Sequence, residues 1–416
     1  MKKTKKMICF SSLVLPVLLV LNIYYSIPAN IVLPEETDYT LKLGTLCSID
    51  DTASLKTVAS TTQALAEETN HELKINTAAC GNYEFSVKLL GSIPIKNVHV
   101  TVMPKTYLIP SGETIGIKLY ADGLMVVALS DVTCPDGTQK TPAKDAGIKK
   151  GDRILAVNGE TVNSSEDFVK HLNQANVPLN LQVKREETVF DTAVTPAISA
   201  QNNLPRLGMW VRDSTAGIGT LTFYNPQTND FGALGHAITD ADTGDVIPIR
   251  SGNLLTCRLL SVKKGAAGEP GELVGSFSDK FLGNISKNTE LGIFGTLANP
   301  EAVSLKDAME VATRYQIKEG PASILADVDG NGVQEYCAEI LKVSSEKNPG
   351  NKGLVIHITD ASLLAKAGGI VQGMSGSPIL QNGRIVGAVT HVFVNDPTRG
   401  YGIFIENMLA EAEKIK

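Results

Sequence analysis

Short β-type segments separated by glycines fill the C-terminal half of the chain, and this pattern restricts the fold more than any other feature. Gly217–Phe223 and Gly383–Val389 are two such segments, and helical periodicity is nearly absent before Glu406–Lys416. Many short strands over such a length are typical of closed antiparallel barrels. We therefore predict a mainly β protein in which residues 207–416 form a double β-barrel.

Length and composition exclude several classes of protein. The chain has 416 residues, which suggests two or three domains. Hydrophobic residues make up 43% and charged residues 20%, as in globular proteins and unlike disordered ones. The formal net charge is −6, so no basic surface indicates a nucleic-acid partner.

The first 28 residues resemble an export signal. Four lysines precede an apolar run from Met7 to Ile27, which is close to the roughly 20 residues that cross a bilayer. This charge distribution favours a cytoplasmic N-terminus and an exported body. Residues 1–28 are therefore either a retained signal anchor or a cleaved signal peptide, and the sequence leaves both open.

The sequence predicts a β-rich region over residues 29–110, a second domain over residues 111–195 and a linker over residues 196–206. The run from Ala143 to Gly159 matches A-x-x-A-G-[IL]-x-x-G-D-x-I-x-x-[IV]-N-G and resembles PDZ domains. In that family a peptide adds as a strand beside the first strand. The resemblance assigns the peptide-binding role of that first strand to four residues: Thr114, Ile115, Gly116 and Ile117. Alternatively, Gly116 is only a sterically tight position in a strand.

The hexapeptide Gly373–Pro378 carries the strongest chemical signal. A serine between glycines suits a tight turn that exposes one hydroxyl, and we predict Ser375 as a nucleophile. The amides of Gly373 and Ser375 would then stabilise an oxyanion. Ser377 is the nearest competitor, but the adjacent proline stiffens the chain there.

A serine nucleophile needs a base, and His236 in the small-residue run Ala233–Ala237 is the preferred candidate. His357 and His391 are rivals in predicted strands. The third member of such a catalytic triad, a carboxylate that orients the base, is the one that the sequence defines least. The aspartates that are possible by residue type are Asp240, Asp242, Asp327, Asp329 and Asp360.

The order of these motifs resembles the SpoIVB peptidase family of endospore-forming bacteria. A-L-G-H at 233–236, T-D at 359–360 and G-M-S-G-S-P at 373–378 follow the signal segment and the PDZ signature. The resemblance implies a chymotrypsin-like peptidase with a catalytic triad of His236, Asp360 and Ser375. It also implies export from the forespore into the intermembrane space.

The same resemblance implies two protein substrates: a second copy of the chain, cleaved in trans, and a membrane-bound regulator of an intramembrane protease. Cleavage of the regulator would lead to sigma-factor activation. Two other functions stay open at this point. One is a non-catalytic PDZ signalling adaptor with a relic peptidase domain. The other is an HtrA-like quality-control protease, which the order of the domains disfavours because there the PDZ domain follows the catalytic one.

No metal or organic cofactor is expected. The cysteines are scattered and form no CxxC motif, and the histidines form no HExxH motif. Asp327–Gly332 resembles half of an EF-hand loop, but Ala338 stands where the terminal glutamate belongs, so we predict a hairpin turn. The glycine-rich segment Lys264–Gly271 lacks a phosphate-binding GK[ST] and is predicted to be a loop near the substrate cleft.

Overall fold

The structure, a computed structural model, describes residues 17–43, 45–49, 66–69, 72–78, 80–174, 178–298, 307–346 and 348–415. The chain divides into two compact units, which are described separately. Residues up to Tyr107, together with Glu310–Lys318, form the first unit. Leu108–Met309 and Glu319–Lys416 form the second.

The first unit is built mainly from strands, as the sequence predicts for this region. A four-stranded sheet has the order β1-β7-β6-β3, and a three-stranded sheet has the order β2-β5-β4. Alternating buried residues of β6 and β7 supply much of its core. The strands are β1 (Asn30–Pro34), β2 (Asp38–Lys42), β3 (Cys47–Ile49), β4 (Ala66–Thr69), β5 (Glu72–Asn76), β6 (Gly81–Leu89) and β7 (Ile93–Met103).

The predicted signal segment, residues 1–28, lies mostly outside the described residues. Its described part contains a helix, α1, over residues 17–26. Leu18, Leu21 and Tyr25 are among its exposed side chains. Within the part of the chain that the structure describes, no helix has both the length and the apolar character needed to cross a membrane.

The second unit contains a PDZ domain built around Leu124, Ile154, Phe168 and Leu181. Its Asn158-Gly159 turn has positive φ at both positions, which confirms the predicted tight hairpin. The elements are β8 (Tyr107–Pro110), β9 (Thr114–Leu129), β10 (Val132–Thr133), β11 (Gln139–Lys140), α2 (Pro142–Asp145), β12 (Arg153–Val157), β13 (Glu160–Thr161), α3 (Ser165–Gln174), β14 (Leu179–Arg185), β15 (Thr188–Val194), β16 (Ala197–Ile198), β17 (Pro205–Arg206) and β18 (Met209–Tyr224).

The first barrel consists of six antiparallel strands that close in the order β9-β18-β19-β22-β21-β20. Ile115, Phe231, Leu254 and Ile293 lie in its interior. Its additional strands are β19 (Asp230–Ala233), β20 (Ile249–Lys263), β21 (Glu272–Thr289) and β22 (Gly292–Leu297).

The second barrel closes in the order β24-β25-β26-β29-β28-β27, and all six pairings are antiparallel. The hairpin β24–β25 contains Asp327–Gly332 in its turn, as predicted. The remaining elements are β23 (Met309–Val311), β24 (Gly320–Ala326), β25 (Gln334–Val343), β26 (Leu354–Ile358), α4 (Ala361–Ala367), β27 (Pro378–Gln381), β28 (Arg384–Phe393), β29 (Asp396–Phe404), α5 (Ile405–Ala412) and a 3-10 turn (Glu413–Ile415). The two barrels confirm the predicted fold class.

The PDZ domain lies between the first two strands of the first barrel, which differs from the predicted division of the chain. The first half of β9 pairs with β18 and β20 in the barrel, and its second half pairs with β12 in the PDZ domain. The predicted linker, residues 196–206, instead contains the hairpin β16–β17. Ala197 of this hairpin is buried with Val132 and Cys134. The peptidase domain and the PDZ domain therefore share two strands.

Candidate active site

The predicted nucleophile loop of the second barrel packs against the turn that carries His236 in the first. Gly376 has φ +99°, and a β-carbon there would lie 2.1 Å from the carbonyl oxygen of Thr220 and 2.6 Å from the amide nitrogen of Leu234. Only glycine fits such a close approach of two backbones. The structure therefore packs the loop of Ser375 directly against the turn before His236.

Thr220 of β18 fastens the nucleophile loop. Its backbone amide donates to the carbonyl of Ser375 at 3.0 Å, and its hydroxyl donates to the carbonyl of Gly373 at 2.7 Å. Thr220 is almost fully buried, so both bonds are shielded from water. No sequence motif marks this threonine, because its role depends on how the two barrels meet.

The amides of Gly373 and Ser375 donate no hydrogen bond to any residue that the structure describes. By contrast, Met374 donates to Val371, and Gly376 donates to Val389. An oxyanion hole requires free donors of this kind in a fixed loop. The geometry is compatible with the predicted oxyanion hole, which stays a prediction.

The hydroxyl of Ser375 donates to the carbonyl of Thr390 at 2.7 Å. The Nδ1 atom of His236 lies 2.7 Å from the carbonyl oxygen of Ala237. A carbonyl can only accept, so this contact places a proton on Nδ1 and leaves Nε2 as the basic atom. A rotation of the Ser375 hydroxyl away from Thr390 would therefore be needed before His236 could accept its proton.

His391 lies beside His236, with 4.9 Å between the ring centroids. Loss of hydration lowers the pKa of His236 below its ordinary value of 6.5. Desolvation, followed by repulsion from His236 and Lys352, lowers the pKa of His391 to about 4. Both rings are therefore neutral at pH 7, and His236 can act as a general base there.

The structure does not bring Asp360 to His236, in contrast to the expectation from the family resemblance. Asp360 caps α4, where its carboxylate accepts from the amides of Ser362 at 2.9 Å and Leu363 at 3.0 Å. These backbone donors, Leu363 foremost, lower the pKa of Asp360. Its carboxylate also accepts from the amide of Cys337. A triad role for Asp360 would require it to leave this cap, and the role stays a prediction.

The other aspartates considered from the sequence also have structural partners. Asp240 and Asp242 both bind Arg212, at 2.6 and 2.8 Å. Asp329 pairs with Lys366, and Asp327 accepts from amides of its own turn. His357 pairs with Arg399 in the β26–β29 ladder, on strands of the second barrel. None of these residues contacts His236 among the described interactions.

The peptide-binding assignment for Thr114–Ile117 is corrected by the strand pairing. Ile117 is paired with Gly217 on one side and Leu254 on the other, so both edges of the strand are occupied. The side chains of this segment are buried. A β-carbon at Gly116 would lie 2.6 Å from the Phe277 ring, which supports the alternative of a sterically tight strand position.

An open sheet edge of the PDZ domain occurs instead at the start of β18. Residues 209–212 pair with β9 on one side, and no described strand pairs with the other. Met209 and Val211 pack against the PDZ core. Asp213 fixes α3 next to this edge, because its carboxylate accepts from the amide of Ser165 at 2.7 Å. A helix beside a free strand is the arrangement that accepts an added peptide strand.

The loop Lys264–Gly271 extends from the first barrel onto the second, close to the nucleophile loop. Gly265 donates to Ala367, and Gly268 donates to Val394. Where β21 begins, Leu273 donates to the carbonyl of Gln372, the residue before Gly373. The segment is thus held against the second barrel by backbone hydrogen bonds; its role at a substrate cleft stays a prediction.

Comparison with known proteins gives two family matches. Residues 203–409 match the model of the SpoIVB peptidase S55 family, and residues 115–195 match that of the PDZ domain. The two barrels and these matches define the class, a peptidase-type double barrel that carries a PDZ domain. More specifically, the chain is similar to the SpoIVB peptidases over residues 203–409.

Individual relatives cover little of the chain. Serine protease HTRA1 of Xenopus tropicalis is 36% identical over 56 residues, which is 14% of this chain and 12% of that protein. A Bartonella henselae protein described as a zinc metalloprotease is 30% identical over 80 residues, or 19% of this chain and 22% of that protein. The chain therefore spans less than a quarter of either relative. The active form of the Rv3671c protease of Mycobacterium tuberculosis is 14% identical, covering 48% of this chain and 74% of that one, with a TM-score of 0.28.

Ser375→Ala should lower peptidase activity by at least about a thousandfold, because the attacking hydroxyl is lost. Labelling by a fluorophosphonate should also disappear. Ser377→Ala is the matched control, because the Ser377 hydroxyl is buried without a partner among the described residues. The assignment is wrong if Ser377→Ala abolishes labelling and Ser375→Ala retains it.

His236→Gln should abolish fluorophosphonate labelling, whereas His391→Gln should reduce its rate by less than about tenfold. In the unmodified enzyme, kcat/KM should rise with pH as His236 loses its proton, with the midpoint below pH 6.5 because burial lowers its pKa. The pH dependence of kcat/KM measures this midpoint. Full labelling of His236→Gln, together with loss in His391→Gln, would assign the base to His391.

Proposed function

We propose that the chain is an exported, membrane-associated serine endopeptidase of sporulation signalling, with Ser375 as nucleophile and His236 as base. The observation that carries the catalytic part is the packing of the Ser375 loop against the turn before His236. Two amides of this loop, those of Gly373 and Ser375, donate to no residue that the structure describes. These are the parts that acyl transfer from a peptide to a serine requires.

In the proposed reaction, the oxygen of Ser375 attacks the carbonyl carbon of a peptide bond while its proton passes to Nε2 of His236. The amides of Gly373 and Ser375 bind the oxyanion of the tetrahedral intermediate. Its collapse breaks the C–N bond, and the proton moves from His236 to the leaving amine. Water then attacks the acyl-enzyme by the same route, which releases the acid and regenerates the serine.

The physiological part of the proposal is supported by the family match and by the N-terminal sequence. Similarity to the SpoIVB peptidases implies a role in spore formation. In that role the chain would cleave itself and a membrane-bound regulator of an intramembrane protease. The lysines before Met7–Ile27 favour export of the body of the chain. We therefore propose the space between the forespore membranes as its location, with the N-terminal segment either retained as an anchor or removed.

Self-cleavage in trans tests this proposal directly. An isotope-labelled Ser375→Ala chain should stay intact alone and be cleaved when unlabelled active chain is added, because it keeps the cleavage sites but lacks the nucleophile. Mass spectrometry of the labelled fragments identifies the bonds that are cut. In a spore-forming host, the same substitution should block spore formation. Persistence of intact labelled chain, with normal sporulation of the variant, contradicts the proposal.

The PDZ domain is proposed to bind an extended segment of the substrate along the free edge of β18. Trp210 is the single tryptophan of the chain, lies in this edge strand and is 66% exposed. Titration with a peptide of the cleaved regulator or of the chain itself should therefore shift tryptophan emission to the blue, since a bound strand covers the indole. Saturable binding measured by calorimetry, without any change in emission, would place the peptide elsewhere.

A further inference from the structure

One end of the first unit exposes a group of large apolar side chains. In the turn between β6 and β7, Leu90 is 67% exposed, and Ile93 at the start of β7 is 56% exposed. Leu46 is also exposed, and its carbonyl accepts from the amide of Leu90. These three residues, Leu46, Leu90 and Ile93, are called the apolar tip. Adjacent apolar side chains on a surface, unlike scattered ones, mark a site of interaction.

The helix α1 joins the unit at the same end. β1 runs parallel to β7, and their pairing finishes with Pro34 opposite Met103, where β7 ends. Because α1 precedes β1 in the chain, the helix meets the sheet on the side where β7 begins. The turn from β6 to β7 lies on that side too, since Leu89 pairs with Ile93 across it.

Lys96 of β7 fastens α1 to this end of the sheet. Its ammonium group donates to the carbonyl of Tyr24 at 2.8 Å and to the carbonyl of Ile27. The same group lies 4.4 Å from the centroid of the Tyr24 ring. Ile27 is buried in the core of the unit, and Ile23 packs against that core. The C-terminal end of the helix is therefore held in a fixed position beside the start of β7.

The charge at this end of the unit is positive. Residues 17–34 and 85–98 contain no Asp or Glu, and their charged residues are Lys88 and Lys96. The formal net charge of the whole chain is −6, so this positive charge is a local feature. Lysines beside an exposed apolar surface attract anionic phospholipid headgroups while the apolar groups enter the interface. The chemistry of the tip therefore fits the surface of an anionic lipid bilayer.

We propose that the apolar tip docks on an anionic lipid bilayer, with Leu90 and Ile93 inserted at the level of the headgroups and upper acyl chains. The proposal rests on the proposed membrane association and assigns a surface of the first unit to it. Tyr24 and Tyr25 at the end of α1 are exposed, and tyrosine is enriched at this depth of a membrane. A second contact beside the helix fixes the orientation of the unit on the bilayer, which a single helix does not.

The test places a single tryptophan at the tip of the full chain. Trp210→Phe removes the one native tryptophan, and Leu90→Trp then provides the only indole. The probe is a vesicle of phosphatidylcholine and phosphatidylglycerol with brominated acyl chains, because bromine quenches an indole only on contact. We expect most of the emission at residue 90 to be lost in brominated vesicles and retained in unbrominated ones.

Met103→Trp in the same Trp210→Phe background is the matched control. Met103 lies at the opposite end of β7 and is 48% exposed. Its carbonyl accepts from the amide of Glu35, which Glu36 follows, so that end carries carboxylates. Emission at residue 103 should be the same in both kinds of vesicle. Ile93→Glu should remove most of the quenching at residue 90, because anionic lipid repels a carboxylate at the tip.

Co-sedimentation with the vesicles is measured on the same samples. Bound chain without quenching at residue 90, or with equal quenching at residues 90 and 103, overturns the docking and keeps the membrane association. Chain that does not sediment overturns both. An emission shift at residue 90 that depends on protein concentration in the absence of lipid assigns the tip to a second copy of the chain and overturns the proposal. Failure of the serine mechanism has a separate signature, namely retained labelling in Ser375→Ala, and leaves the quenching unchanged.

Discussion

The two hydrogen bonds from Thr220 to the nucleophile loop are the interaction on which the candidate active site depends. They join the second strand of one barrel to the carbonyls of Gly373 and Ser375 in the other. Each such bond contributes only about 1 kcal/mol to stability, but a buried carbonyl left without a donor costs more. Thr220 thus satisfies these two carbonyls, while the amides of Gly373 and Ser375 donate to no described residue.

The strand that contains Thr220 also contains the free edge of the PDZ domain. β18 runs without interruption from Met209, in the PDZ sheet, to Thr220 beside the nucleophile loop. Its pairing with β9 shifts register near Arg212, where the side chain binds Asp240 and Asp242 of the first barrel. Because the domains share β9 and β18, the PDZ domain cannot move as an independent body. A substrate segment bound at Met209–Arg212 would act on the same strand that positions the catalytic loop.

Local signals in the sequence predicted the parts of the molecule that depend on local chemistry. The Asn158-Gly159 turn, the hairpin around Asp327 and the short strands of both barrels all follow from residue preferences and periodicity. The division between the PDZ domain and the first barrel did not follow from them. β9 continues through Ala121-Asp122-Gly123 because each half of the strand pairs with a different sheet.

In the candidate active site, too, only the parts that depend on local chemistry could be predicted from the sequence. Gly373–Pro378 is recognisable because a tight turn around a serine needs glycine on both sides. Asp360 follows a strand and precedes Ala361-Ser362, which is also the pattern of a helix N-cap, and its carboxylate makes cap hydrogen bonds here. Thr220 carries no motif. Its position beside the nucleophile loop follows from barrel closure, which brings together residues that are far apart in the sequence.

The resting geometry separates two tasks that a triad carboxylate usually performs together. The Ala237 carbonyl already selects the tautomer of His236 with Nε2 unprotonated, so no acid is required for that task. Charge stabilisation remains, and it acts through space as well as through a hydrogen bond. A helix-capping carboxylate such as Asp360 would have to give up several hydrogen bonds first. In this geometry the backbone of the first barrel therefore fixes the tautomer of His236, and a carboxylate would be needed only for its charge.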